Sequence, residues 1–460
     1  MDYQISQKKL RIRIPRKKES LSLIILMFCC VCFLSYETVG GGIHVPTNVL
    51  ALLAIITVLM CSRIETVITV VACLQMLDSI IQISIGSTCV SFLFVAVPII
   101  LIKCIMARKM ISKRVIIGSI IAVFLGVFDI SHFSSYSING FGTMIIWLFC
   151  FVYLVSITDV KWIEINRGLL VALWVISFLT VAVINMKSYN HPVLIYNNGF
   201  MPLSYSSTYR LGDQYRALGG PNTFALEASL LFAFTFPELM KKSEIRSNRV
   251  IMVLGMIASL YFGILTFSRA FIVEVVLVAF CVAFSKKGIS HISKAITIVV
   301  GIAALAFAFS TPFFQTQLGN VADRFGEGNS NRFTLIMHGI DAFVSSISSL
   351  LFGNGLLYPM NPSLNFTAHN WLIDSLVAFG ILSVSYWYAI ISSCYSFLKR
   401  NVLARKEKIF LLNVIPFIIL ICNEVIVGSV RDTFIYLFIP LTLLLMVQRD
   451  NLPEGVNACG

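Results

Sequence analysis

Residues 8–34 read KKLRIRIPRKKESLSLIILMFCCVCFL. Lys8, Lys9, Arg11, Arg13, Arg16, Lys17 and Lys18 stand directly before a run from Leu21 to Leu34 that carries no charge. Basic residues stay on the cytoplasmic side of a bilayer, so the run is predicted to insert with its N-terminus inside. The layout is that of a signal peptide, but Ser35-Tyr36-Glu37 offers no small-residue cleavage site and further apolar runs follow at once. The segment is therefore predicted to stay attached as a signal anchor.

The rest of the chain has the same character. Of 460 residues, 58% are hydrophobic and 12% charged, with a mean hydropathy of +0.88. Soluble domains carry about a quarter charged residues, so soluble, disordered and collagen-like classes are excluded. Long unbroken apolar runs with 13 prolines favour helices over a barrel, whose strands would alternate over roughly ten residues. The expected fold is an all-α polytopic integral membrane protein with about 12–14 spans. Spans are placed near 20–37, 45–62, 64–84, 88–107, 115–131, 141–158, 168–186, 222–240, 250–267, 270–285, 292–310, 370–398, 409–427 and 432–447. This divides the chain into a cytoplasmic basic tail (1–19), an N-terminal bundle (20–186), an outer loop (187–221), a second set of spans (222–310), a long outer loop (311–369), the last spans (370–447) and a cytoplasmic tail (448–460).

Charge gives an independent check on that topology. All but Lys187, Arg210, Arg216, Arg269, Arg324, Arg332 and Arg431 of the 35 Lys and Arg fall on the inner side. The net charge of +13 thus reads as cytoplasmic anchoring, and no nucleic-acid partner is needed to explain it. Both termini are expected in the cytoplasm. Of the 12 cysteines, Cys29 and Cys32 have Cys-x-x-Cys spacing, but inside an apolar run and without a second pair to complete a zinc site. They read as small core residues.

The two outer loops break the rhythm of short connections. The first is rich in Tyr, Asn, Ser and Gly. The second contains Gly-Asn-Ser-Asn, an amphipathic segment near 332–349, and Gly353-Asn354-Gly355. Such long loops are usually functional or disordered.

Outer basic residues oppose the positive-inside bias, so something must compensate them. Arg216 precedes Gly219-Gly220-Pro221-Asn222-Thr223-Phe224-Ala225, where the first loop meets a span; Arg269 follows Thr266-Phe267-Ser268 at a very short hairpin. Two arginines at a lipid boundary suit a lipid-linked phosphate or diphosphate, because a guanidinium grips phosphate oxygens bidentately. Structural ion pairs, Arg269 with Glu274 and Arg216 with Glu227, explain the same residues equally well. His369, in His369-Asn370-Trp371-Leu372-Ile373-Asp374, lies where the second loop meets a span. It could serve as a general base, with Asp374 tuning it or pairing with an arginine, or be an ordinary interfacial residue.

Taken together, the Arg216–Ala225 motif, the Thr266–Arg269 hairpin, Gly353-Asn354-Gly355 and the His369–Gly380 segment resemble the O-antigen ligase and Wzy-type polysaccharide polymerase family. The resemblance covers residues 205–445; the earlier spans match only in hydrophobicity. It implies a glycosyltransferase in the cell inner membrane, using neither nucleotide sugar, metal nor cofactor. The substrate would be an undecaprenyl-diphosphate-linked glycan, met at the outer face of the membrane. It further implies that Arg216 and Arg269 hold the donor diphosphate, that His369 deprotonates or positions the acceptor hydroxyl, and that Arg210, Arg324, Arg332, Asn370 and Asp374 contact substrate. A chain-length regulator and a flippase are the implied partners. One departure is the lack of a clean pair of Arg-rich loop motifs, which leaves open which arginine does what.

The polymerase is the preferred expectation; a ligase acting on lipid A core shares the same motifs. A flippase for lipid-linked oligosaccharide is a third reading, disfavoured by the long outer loop, since pseudo-repeated halves and short loops would be expected of it.

Overall fold

The computed structural model describes, with gaps of one or two residues, residues 21–106, 167–189, 221–240, 249–284, 330–355, 370–399 and 411–426. It adds strand residues between 195 and 217 and isolated positions in 113–127, 295–299, 315 and 319. The protein is mostly helical, with helix in 88% of the described residues, in line with the helical reading of its apolar runs.

The helices are α1 (Leu21–Tyr36), α2 (Thr47–Met60), α3 (Ile64–Gln75), α4 (Leu93–Met106), α5 (Arg167–Tyr189), α6 (Pro221–Met240), α7 (Arg249–Leu265), α8 (Arg269–Phe284), α9 (Ser330–Val344), α10 (Ile347–Phe352), α11 (Trp371–Phe379), α12 (Ser383–Leu398) and α13 (Leu411–Ile426). Among the described residues there are also three antiparallel hairpins: β1 (Gln82–Ile85) with β2 (Thr88–Ser91), β3 (Ile195–Tyr196) with β4 (Gly199–Phe200), and β5 (Thr208–Leu211) with β6 (Gln214–Ala217). By length and composition Ser22–Val39 can cross a bilayer, and Trp371–Ser385 with Trp387–Phe397 qualifies as a pair bent by 56°. The other apolar helices among the described residues are shorter.

Against the expected 12–14 spans, one helix, or two counting the bent pair, is long and apolar enough to cross a bilayer among the described residues. The region 64–107 shows a local cause. The apolar stretch 64–107 was predicted to hold two spans, but β1 and β2 interrupt it, leaving α3 with 12 residues and α4 with 14. A 12-residue helix rises about 18 Å, short of the ~30 Å hydrocarbon core. The cause is legible in the sequence: Gln82-Ile83-Ser84-Ile85 alternates polar and apolar residues at strand period, and the Gly-Ser pair that follows is a sequence signal for a hairpin. Asn48, in the first turn of α2, anchors this hairpin, its Oδ1 accepting from the Ser84 amide (2.6 Å) and its Nδ2 donating to the Ser84 carbonyl (3.3 Å). At the opposite end of α2, Lys103 Nζ donates to the carbonyls of Val58, Leu59 and Cys61. These are carbonyls that a helix end leaves without partners, and a cation there also favours the helix dipole.

The core lies around α5, whose Trp174 and Phe178 are fully buried. Helix α6 packs against α5, α7, α8 and α13. Gly255 lets α7 approach closely: a Cβ there would meet Val175 of α5 at 2.7 Å and Thr235 of α6 at 3.1 Å. Among the described residues no cysteine forms a disulfide, and Cys32, Cys73 and Cys394 are buried in the apolar interior.

Candidate functional site

Three of the segments carrying the family resemblance begin helices, and local chemistry explains where each begins. Helix α6 starts at Pro221, the residue whose fixed φ and missing N–H suit a first helical position. Phe224, in its first turn, is buried and stacks on Phe178 of α5, with ring centroids 4.8 Å apart and planes at 2°. The phenylalanine of this motif is thus a packing residue. Phe178 also meets Phe262, near the C-terminal end of α7, edge to face at 6.2 Å. One ring therefore holds the start of α6 and the end of α7 at the same end of the bundle.

The Thr266–Arg269 hairpin follows at that end. Thr266 Oγ1 donates to the Gly263 carbonyl (2.6 Å) and accepts from the Ser268 amide (3.3 Å), and both side chains are buried. Gly263 makes room for the Phe271 ring: a Cβ there would lie 2.7 Å from Phe271 Cε1. The turn is thereby closed, and α8 starts at Arg269. The first residue of a helix stands where backbone N–H groups and the dipole favour an anion. Arg216 lies in β6 opposite Tyr209, and Arg210 in β5 opposite Tyr215. Successive register positions alternate between faces, so Arg210 and Arg216 occupy positions on opposite faces of the hairpin rather than one shared face.

Arg269 and Glu274 stand five residues apart at the start of α8. Glu274 accepts from Asn423 of α13, Nδ2 to Oε1 at 3.0 Å, with Ser229 of α6 beside the same carboxyl group. Glu227 is buried in α6, and no ion pair to it occurs among the described residues. The node Glu274–Asn423 joins α8 to α13 and went unseen in the sequence, where the two residues are 149 apart.

The segment 330–355 supplies the densest set of contacts around the motifs. Helices α9 and α10 fold back on α11, Ala342 and Phe343 packing with Ile373 against Val377. Ser346 caps α10, accepting from the Ser349 amide at 2.9 Å. Beyond α10, Gly353-Asn354-Gly355 is bonded to the end of α11: Asn354 N donates to Val377 O (2.7 Å) and Gly355 N to Ala378 O (3.0 Å). Asn354 also turns its side chain back, accepting from Ser349 Oγ (2.8 Å) and donating to Ala342 O (3.0 Å). Gly353 and Gly380 have φ of 80° and 59°, a region that glycine adopts without strain.

Helix α11 begins with Asn370, whose Oδ1 accepts from the amides of Leu372 and Ile373, both at 3.1 Å. Asn370, expected to contact substrate, thus also caps the helix through its side-chain oxygen. Asp374, one turn later, is only 3% exposed, on the face shared with Trp371 and Ser375. At Gly380 the predicted span 370–398 breaks through a single 3₁₀ turn into α12. Trp387 holds the bend, donating Nε1 to Ser375 Oγ at 2.8 Å and lying 6.5 Å from the Trp371 ring.

His369 and Arg324 lie outside the described residues, and Arg332 is placed as the third residue of α9. The structure therefore brings the Arg216 and Arg269 segments to one end of the bundle, and joins Gly353-Asn354-Gly355 to the helix that follows His369. Helix α13 links the two groups, packing on α6, α8 and α11. Compared with known protein families and with curated proteins, the chain matches none.

Proposed function

We propose that the protein is a polytopic inner-membrane glycosyltransferase of the O-antigen polymerase and ligase class. In this reading it joins undecaprenyl-diphosphate-linked oligosaccharide repeat units into a surface polysaccharide at the outer face of the membrane. The observation that carries the reading is the joining of Gly353-Asn354-Gly355 to the C-terminal end of α11 by two main-chain hydrogen bonds. Two motifs behind the resemblance, separate in sequence, meet there, and α11 begins directly after His369. Further support comes from Arg269 at a helix start, a position suited to an anion.

Arg216 and Arg269 hold the diphosphate and stabilise its growing charge. The acceptor hydroxyl oxygen attacks the anomeric carbon while the bond from that carbon to the diphosphate oxygen breaks. The electron pair leaves with the lipid diphosphate, and the hydroxyl proton passes to His369. No metal or cofactor takes part.

The test is complementation of a deletion strain with Arg216→Ala, Arg269→Ala and His369→Ala, resolving the surface glycan by length. A lost polymerase leaves single repeat units on the surface. A lost ligase leaves none attached while lipid-linked chains accumulate, and a lost flippase traps units inside. Wild-type ladders from all three variants at normal expression would end this assignment.

A further inference from the structure

The surface of α9 divides into three sectors. Gly339, Ala342 and Phe343 face the α11 side, where the segment is packed. Phe333 (66% exposed), Met337 and Val344 recur at spacings of four and seven, which align on one strip of a helix. Thr334, His338 and Asp341, also spaced by four and three, are exposed on the adjoining strip. A helix in water has no use for an apolar strip beside a polar one when its third side already packs on protein.

The apolar strip does not stop at α9. Ile347 of α10 is 79% exposed, and Leu350 and Leu351 are exposed beside it. Helix α10 packs on the 3₁₀ turn at Gly380, where a Cβ would meet Leu351 C at 2.6 Å. The next residue, Ile381, is exposed, and from there Val384, Tyr388, Ile391 and Tyr395 form an exposed stripe along α12 at spacings of four, three and four. Exposed apolar residues thus recur from the broken span through α10 to α9.

We infer that α9 and α10 form an interfacial hairpin, sunk into the lipid surface with the apolar strip against acyl chains and the Thr334–His338–Asp341 strip in water. The inference rests on the membrane reading proposed above and deepens it. The occupant is the bilayer, because the strip continues the stripe that a spanning α12 would turn to lipid, and because the water-facing strip fixes which way the helix rolls. Its consequence for the reaction is one of depth. In this reading Gly353-Asn354-Gly355, directly after α10, lies at the headgroup level, where the diphosphate of a lipid-linked glycan resides.

The experiment uses the full-length protein in lipid vesicles, with its native cysteines retained. A ketone-bearing amino acid is placed singly at Met337, Val344 or Ile347, at Thr334, His338 or Asp341, and at Ile391, then spin-labelled. Collision with oxygen, which concentrates in lipid, is compared with collision with a water-soluble nickel chelate. The expected result is a several-fold higher oxygen-to-nickel ratio at the first set and at Ile391 than at the second set. Dominant nickel collision at Met337, Val344 and Ile347 with oxygen dominance at Ile391 overturns the inference and leaves the membrane reading standing. Exclusion of both reagents from the first set also overturns it, since protein would then cover the strip. Nickel dominance at Ile391 as well sinks both.

Discussion

Gly353 and Gly380 are wedged into each other: a Cβ on Gly380 would lie 2.6 Å from the amide nitrogen of Gly353, and one on Gly353 would lie 2.5 Å from the amide nitrogen of Phe379. The atoms met are backbone, which cannot swing aside. Gly380→Ala is expected to cost more than the ~1–3 kcal/mol of its positive-φ backbone alone, because the clash adds to it. Gly319→Ala is the control, since nothing lies within 4 Å of its Cβ position. Thermal unfolding of the purified variants in detergent checks this; equal midpoints for the two would refute the wedge.

Asn354 ties the same loop to α9 and α10 through both ends of its amide. Asn354→Ala leaves the Ala342 carbonyl and the Ser349 hydroxyl without that partner, a cost of about 1–3 kcal/mol. Amide hydrogen exchange over residues 342–355 is expected to accelerate, with exchange in α5 unchanged. Unaltered protection over 342–355 would show the bonds to be idle.

Asn370 separates capping from recognition. Asn370→Ala is expected to lower stability by about 1 kcal/mol. Asn370→Asp keeps the capping oxygen and restores that loss, while removing the side-chain N–H₂ donor. If Asn370 also binds substrate, the Asp variant is stable yet impaired in glycan extension. Full extension by a stable Asp variant would reduce the residue to its structural role.

The Glu274–Asn423 bond joins helices α8 and α13 in an apolar interior. Interhelical hydrogen bonds of this kind contribute on the order of 1 kcal/mol. Asn423→Leu should lower the unfolding midpoint accordingly, and Glu274→Gln should not, since Gln keeps an oxygen for Asn423 to donate to. A Gln variant as unstable as Glu274→Ala would mean that the charge, not the hydrogen bond, matters.

Helices α6, α7 and α8 were legible to within a residue or two, because apolar length and flanking charge or glycine mark them plainly. Hydropathy failed where an apolar run changed period. Gln82–Ser91 is as oily as a helix, and only its alternation and the Gly86-Ser87 pair betrayed a hairpin. Gly212-Asp213 carries the same signal between β5 and β6 in a stretch read as open loop. Among the candidate residues, Arg269 and Asn370 stand out in the sequence by position, and both fall at helix starts. The Asn354 bridge and the Asn423 contact do not stand out, because each depends on partners that only folding brings together.

The wedge at Gly353 and Gly380 is made almost wholly of main chain, and main chain is common to every residue. Neighbours such as Leu350, Leu351 and Ala378 contribute carbonyls and backbone carbons to it, which most other amino acids would supply as well. A chain built this way is free to change its side chains around the wedge while keeping the wedge itself. Kinship in such proteins would persist as isolated glycines at set intervals rather than as continuous stretches of alignable sequence.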